Sequence, residues 1–163
     1  MSMTPTRGFT IIETLVAISI LAVAIVGPLT AANVTGKSFR AAQDTLTASL
    51  LAQEGMEAIH ARRDDNLLTA SPWLTGLSSC VGASCKVNAI TKTFTACAGS
   101  CPAVYVNSFG HYNQESDGTR TIFNRSLSIT QNGNVALSIT TVTWTNFQGN
   151  HSISLREMLQ NWP

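Results

Sequence analysis

The sequence contains few charged residues, and the motifs of several common enzyme classes do not occur in it. Only 12% of the 163 residues are charged, and the formal net charge is +1. The basic surplus typical of nucleic-acid-binding proteins is missing, so we expect no nucleic-acid partner. Nucleophile-elbow, zinc-protease and phosphate-loop patterns are absent, and His60, His111 and His151 are far apart in sequence. We therefore expect no enzyme activity, no catalytic residue, no metal and no cofactor.

A long apolar stretch runs from Phe9 to Ala32 and contains one charged residue, Glu13. As a helix, these residues (about 24) would be ~36 Å long, which exceeds the ~30 Å hydrocarbon core of a membrane. A carboxylate costs ~2–3 kcal/mol at the bilayer centre, costs less near the interface, and normally has a partner. Because no other charge lies in this stretch, we expect the partner of Glu13 on another molecule.

Residues 7–15, with the sequence RGFTIIETL, resemble the processing site of type IV prepilins and of the pseudopilins of type II secretion. The resemblance implies that a membrane peptidase cleaves after Gly8 and N-methylates Phe9. It also implies that Glu13 neutralises the amino terminus of a neighbouring subunit in a filament. The implied partners are other pilin or pseudopilin subunits, the prepilin peptidase, the inner-membrane assembly platform and the membrane.

Beyond this motif, residues 51–59, residues 62–66 and the strand-rich region around Trp144 are similar to minor pilins of the PilV type. The implied function is that of a minor pilin or pseudopilin, a structural subunit of a type IV pilus or of a type II secretion-like filament. Before assembly it would cross the inner membrane once, with its amino terminus in the cytoplasm and its head outside. After assembly it would lie in a pilus or in a periplasmic or extracellular filament, and a DNA-uptake filament fits equally well.

Two other interpretations of the apolar stretch are open. A plain single-span anchor would leave the Gly8-Phe9 pair and Glu13 unexplained. An ordinary signal peptide would be cleaved near residues 29–32, which would make the mature chain a secreted, soluble, disulfide-stabilised binding protein. However, the apolar run from Phe9 to Val26 is longer than the ~7–15 residues of a signal-peptide core, and it contains Glu13. We favour the prepilin interpretation and keep the secreted protein as the alternative.

The resemblance implies an α+β, type IV pilin-like fold, with a long N-terminal helix packed on a small antiparallel β-sheet. Residues 1–8 would be the leader, 9–32 the transmembrane and assembly helix, 33–66 its amphipathic continuation, and 67–163 the disulfide-containing head. Gly27 and Pro28 predict a kink, and Gly36 and Gly55 predict soft points. Apolar residues at helical spacing predict the face that packs on the head, with the last two on a shifted stripe: Phe39, Ala42, Leu46, Leu50, Met56 and Ile59.

Turn residues and alternating apolar residues predict the strands of the head. Short strands are expected at residues 86–96 and 103–107, and a three-stranded meander at 120–131, after the turn at 132–134, and at 152–159. In the middle strand, Val135, Leu137 and Ile139 differ in parity from Val142 and Trp144. This shift predicts a β-bulge near residues 140–141.

The four cysteines form two closely spaced pairs, which favours disulfides in an oxidising compartment. A four-thiolate zinc site is the alternative, although its pairs usually have two intervening residues and these have four and three. The spacing leaves open whether Cys85 pairs with Cys97 and Cys80 with Cys101, or whether each close pair is bridged. A calcium loop over residues 113–124 lacks the leading Asp and the final Glu, so we expect a solvated turn there.

Overall fold

The computed structural model describes residues 8–161, so Arg7 and the rest of the predicted leader before Gly8 lie outside the described residues. The chain divides into two compact units, Met1–Ala42 and Gln43–Pro163. Helix α1 spans Ile11–Leu68 and ends two residues after the predicted boundary at residue 66. It continues through Pro28, and the kink expected there stays a prediction.

The second unit contains one sheet of seven antiparallel strands, preceded by a 3-10 turn at Ser78–Cys80. Strand β5 is central, with β6 and then β7 on one side. On its other side β5 pairs with β1 and β3, which in turn pair with β2 and β4. Within residues 8–161, no strand pairs with the outer edge of β7. The strands are β1 (Cys85–Asn88), β2 (Thr93–Ala96), β3 (Ala103–Val106), β4 (Tyr112–Asn113), β5 (Thr119–Asn132), β6 (Val135–Asn146) and β7 (Gly149–Gln160).

The predicted meander is confirmed as β5, β6 and β7, with its first turn at Gly133. The segment predicted as a strand at residues 86–96 is instead the pair β1 and β2, separated by a turn. The strand expected at 103–107 corresponds to β3.

The predicted β-bulge near residues 140–141 is wrong. Strand β6 pairs with β5 and with β7 in one unbroken register. Its buried face consists of alternate residues that include the polar Ser138 and Thr140, while Leu137 and Ile139 are only half-buried on the other face. Apolar residues occupy odd positions before residue 140 and even positions after it, although the even positions are buried throughout. The sequence pattern shifts because the buried positions 138 and 140 hold hydroxyl side chains, and the backbone stays regular. The hydroxyl of Ser138 donates to the Glu157 carbonyl at 3.1 Å, which offsets the cost of its burial.

The helix face that packs on the sheet is also not the first predicted stripe. Leu46 and Leu50 are exposed, and the buried face begins at Ala48. This face alternates small and large side chains, which lets the helix approach the sheet closely. Gly55 is part of this face, and a Cβ built there would lie 2.9 Å from Thr140 Cγ2. The soft points expected at Gly36 and Gly55 stay predictions. The buried residues of α1 are Ala48, Leu51, Ala52, Gly55, Met56, Ala58, Ile59 and Asn66.

Two apolar clusters form the core of the second unit. One joins the helix around Met56 and Ile59 to β5 and includes both Cys80 and Cys85. The other joins the helix around Ala48 to Phe123 and Trp144. Met56 and Ile59, which the sequence placed on the shifted stripe, therefore lie in the core.

Candidate functional site

The first turn of α1 is held by a side-chain cap. Thr10 precedes the helix, and its Oγ1 accepts a hydrogen bond from the backbone N–H of Glu13 at 3.3 Å. The Thr10 carbonyl accepts a bond from the N–H of Thr14 at 3.2 Å. Thr10 and Glu13 have the spacing of a capping box, a local signal that our sequence reasoning missed. The negative charge of Glu13 also lies near the positive end of the helix dipole, where it is stabilising.

The three residues of the predicted processing and assembly site lie close together at this helix end. Gly8 and Phe9 precede the helix and are exposed, and Glu13 lies in its first turn. Within residues 8–161, the Glu13 carboxylate has no hydrogen-bonding or ionic partner. The side-chain cap explains why a Thr suits this turn, and the helix dipole explains why a Glu does, but neither gives the Glu13 carboxylate an ionic partner.

The surface of α1 that follows Glu13 is apolar on every side. All residues from Ile11 to Val34 are exposed, and the large apolar ones among them point in all directions around the helix. By length and composition this helix could cross a membrane. An apolar surface of this extent needs lipid or protein contacts, because soluble proteins rarely leave such a patch in water.

The second unit contains a buried charge that the sequence analysis did not identify. The side chain of Arg125 on β5 is fully buried, and its Nη1 lies 2.5 Å from Glu54 Oε2 on α1. Nη1 also donates to the Leu51 carbonyl, and Nη2 donates to the Val87 carbonyl. Burial lowers the pKa of Arg125, whereas the charge of Glu54 and its hydrogen bond raise it. The guanidinium thus connects α1, β1 and β5.

Gln114 extends this polar network beneath the helix. Its Nε2 donates to the Arg125 carbonyl at 2.8 Å and to the Pro102 carbonyl at 3.0 Å. Its Oε1 lies 3.4 Å from Arg125 Nε. These hydrogen bonds hold α1 against the sheet, and the Glu54 side chain, 37% exposed, is the charged part of the network that reaches the surface.

The four cysteines form two local disulfides, Cys80–Cys85 and Cys97–Cys101. The pairing decides between the two connectivities that the spacing left open. A four-thiolate zinc site is wrong, because all four thiols are used in the bridges.

The histidines and the acidic turn are separate features. His60 bonds to Glu157, and His151 stacks on Trp144 with ring centroids 5.2 Å apart. The side chain of Asn113 is buried and bonds to the backbone of its own turn, through the N–H of Glu115 and the carbonyl of Asp117. Among the described residues, no cluster of three metal-binding side chains is present.

Comparison with known protein families gives a match on the amino-terminal segment. The family described as the prokaryotic N-terminal methylation motif matches residues 3–27, which include Gly8, Phe9 and Glu13. No curated protein and no solved structure matches the chain. The architecture, one long N-terminal helix on an antiparallel β-sheet, is consistent with a type IV pilin-like α+β fold. Together, the motif and the architecture indicate a type IV prepilin-like protein.

Proposed function

We propose that this chain is a minor pilin or pseudopilin, a structural subunit of a type IV pilus or a type II secretion-like filament. The observation that carries the proposal is the methylation motif at residues 3–27, which ends inside an exposed apolar helix. In this function the prepilin peptidase cleaves after Gly8 and methylates Phe9. The chain is the substrate of that enzyme and has a structural role in the filament.

The apolar helix has two successive environments in this function. It first anchors the subunit in the inner membrane, with the head on the oxidising side, where two disulfides are stable. It then leaves the bilayer and packs among the helices of neighbouring subunits. In this function the same helix also contacts the assembly platform and other pilins, because apolar side chains are exposed on all its faces.

In this proposal, Glu13 sets the axial offset between neighbouring subunits of the filament. Cleavage gives Phe9 a positive amino group at the start of an apolar helix, where an unpaired charge is costly. The unpaired carboxylate of Glu13 on an adjacent subunit can neutralise it. Such a pair adds little net stability, but other staggers leave two charges without partners.

Replacing Gly8 with Val tests the processing step. We expect Gly8→Val to stay uncleaved, because the side chain occupies space where the peptidase accommodates a hydrogen atom. Gly27→Val is the matched control, since a Cβ built at Gly8 or at Gly27 meets no atom within 4 Å. The measurement is the intact mass of the mature amino terminus from the membrane fraction. A wild-type terminus at Asn33, or normal trimming of Gly8→Val, would contradict the proposal and favour a secreted protein with a signal peptide.

A further inference from the structure

The sheet has one face that points away from α1 and is rich in hydroxyl groups. Because side chains alternate along a strand, Asn124 and Thr143 lie on the side opposite to α1, whereas Arg125 and Val142 pack against the helix. We call this side of the sheet the outer face. Asn124 pairs with Thr143, and Thr143 pairs with Ser152, so these residues form one row across β5, β6 and β7. The next row along the strands consists of Ser126, Thr141 and Ser154. Two neighbouring rows therefore hold only hydroxyl and amide side chains.

Two hollows on the outer face share Asn124 and Thr143 in their linings. The first is about 410 Å³ and extends to Ser152 on β7, and the second is about 240 Å³ and extends to Ser100. Ser100 lies in the loop that the Cys97–Cys101 disulfide closes, so this bridge shapes one wall. Together the two hollows form a continuous depression, which we call the outer groove. It crosses three strands, or ~10 Å at ~4.8 Å between neighbours.

Among residues 8–161, the outer groove presents open hydrogen-bonding groups and no charged side chain. Arg125 contributes to its lining, but the guanidinium is buried against Glu54 on the side of α1. His151 contributes as well, but its ring stacks on the buried Trp144. The three side chains of the first row are exposed and have no hydrogen-bond partner in the described part of the protein. They are therefore available to a ligand.

We propose that the outer groove binds a neutral oligosaccharide. Each sugar hydroxyl donates and accepts hydrogen bonds, and Ser, Thr and Asn side chains have both capacities as well. Ile122 lines the same groove and is 48% exposed, so it offers an apolar contact to the C–H face of a sugar ring. Concave sites that combine apolar contact with a few polar groups are typical of small-ligand binding. The inference concerns the head alone and goes beyond the proposed structural function.

Other classes of ligand fit the outer groove less well. A nucleic acid or another polyanion needs cationic side chains for its phosphates, and none within residues 8–161 faces the groove. An extended peptide is recognised chiefly by backbone pairing at a free sheet edge, whereas β5 and β6 are paired on both sides. An apolar ligand would leave the row at Asn124 without hydrogen bonds. A neutral ligand rich in hydroxyl groups satisfies all three conditions.

Calorimetric titration of the full chain with neutral tetrasaccharides tests the proposal. The probes are maltotetraose, cellotetraose and chitotetraose, which differ in linkage and in acetamido groups but carry no charge. The detergent must lack a sugar head group, because a maltoside would compete for the groove. We expect saturable binding of at least one probe with a Kd of about 1 mM or below. Absence of binding by all three probes would overturn the inference.

Two substitutions assign the binding to the outer groove. Thr143→Val removes a hydroxyl that both hollows share and keeps the β-branched shape, so the strand should be undisturbed. Asn124→Ala removes the neighbouring amide. Each should weaken binding about three- to tenfold, the loss expected for one hydrogen bond. Thr130→Val, exposed on the outer face of β5 but outside the groove, is the matched control and should keep wild-type affinity. Equal affinities of wild type, Thr143→Val and Asn124→Ala would overturn the site.

An acidic probe separates neutral from charged ligands. Arg120 lines a neighbouring hollow whose lining also includes Asn124, so it is the cation that an anionic sugar would use. Tetragalacturonate is the probe, and we expect it to bind no more tightly than the neutral tetrasaccharides. Tighter binding of tetragalacturonate that is lost in Arg120→Ala would overturn the assignment of a neutral ligand.

Discussion

At the scale of single residues, the Arg125 guanidinium is the buried group of the head that most needs a charged partner. It is buried between α1 and the sheet, and its charged partner Glu54 is 71 residues away in sequence. Alternation along β5 predicts an apolar side chain at this inward position, so local patterns cannot reveal the pair. The unpaired charge would be costly, which makes the contact with Glu54 a requirement of the folded state.

Removing the partner of Arg125 should destabilise the head. We expect Glu54→Ala to lower the free energy of unfolding by about 3 kcal/mol, the lower end of the range for a broken buried pair, because Glu54 remains partly exposed. Unfolding of the full chain in detergent, followed by near-ultraviolet circular dichroism, measures the change. The exposed Glu57→Ala is the control and should stay within ~0.5 kcal/mol of wild type. The double variant Glu54→Ala, Arg125→Met should recover stability, and a double variant no more stable than Glu54→Ala would refute this account.

Gly55 supports a second prediction at this scale. We expect Gly55→Ala to destabilise the head by about 1–2 kcal/mol, because the new Cβ would lie 2.9 Å from Thr140 Cγ2. The higher helix propensity of Ala, worth ~1 kcal/mol, would offset only part of this strain. Gly36→Ala, where a Cβ meets no atom within 4 Å, is the control and should be neutral or stabilising. Combining Gly55→Ala with Thr140→Ser removes the clashing methyl group and should restore stability; failure to do so would show that the clash is not the cause.

At the scale of elements, local sequence patterns predicted the long strands of the sheet, but they predicted the buried face of the helix only in part. The turn at Gly133 and the alternation through Phe123, Leu127 and Ile129 were enough to predict β5 and its hairpin. The first part of the buried face of α1 was missed because it contains Ala48, Ala52 and Gly55, which carry little apolar signal, whereas Met56 and Ile59 further along were predicted. Leu46 and Leu50 have a stronger signal but lie on the other side of the helix. Sequence periodicity identifies an apolar face, but it does not identify which partner covers that face.

The two disulfides can be compared because they close loops of similar length. Their cysteines are five and four residues apart, so each bridge should contribute ~2 kcal/mol through the entropy of the unfolded chain. Cys80 and Cys85 are also fully buried, whereas Cys97 and Cys101 are half-exposed. We therefore expect replacement of the first pair by Ala to cost about 1–2 kcal/mol more than replacement of the second.

Denaturant unfolding of the two double-Ala variants measures this difference directly. The variant lacking Cys97 and Cys101 is the internal control for loop closure. Equal losses of stability would mean that burial of the Cys80–Cys85 bridge contributes nothing to the core.

At the scale of the whole molecule, information about function is concentrated at one end of the chain. The family match covers residues 3–27, the segment that contains the methylation motif. The proposed site residues Gly8, Phe9 and Glu13 lie in this segment, and their roles in processing and assembly stay predictions. The Arg125 network could not be predicted from the sequence, because it depends on contacts between residues distant in sequence.

Glu13 provides the prediction that concerns assembly of the whole protein. Glu13→Leu should leave membrane insertion and cleavage intact, because it removes a charge from an apolar helix. It should lower co-purification with sheared filaments, because the amino terminus of the adjacent subunit loses its partner. Glu13→Asp retains the carboxylate and should keep more of the wild-type recovery. Equal recovery of wild type and Glu13→Leu would show that Glu13 has no role in assembly.

The outer edge of β7 affects how the purified protein behaves in solution. Over its 12 residues this strand presents backbone N–H and C=O groups that no other strand within residues 8–161 uses, a template for aggregation. Arg156 and Glu157 are consecutive, so they place one charge on each face of this edge. Pairing of two such edges would join copies of the protein, so turbidity should rise with protein concentration, and dilute stocks are the better choice for storage.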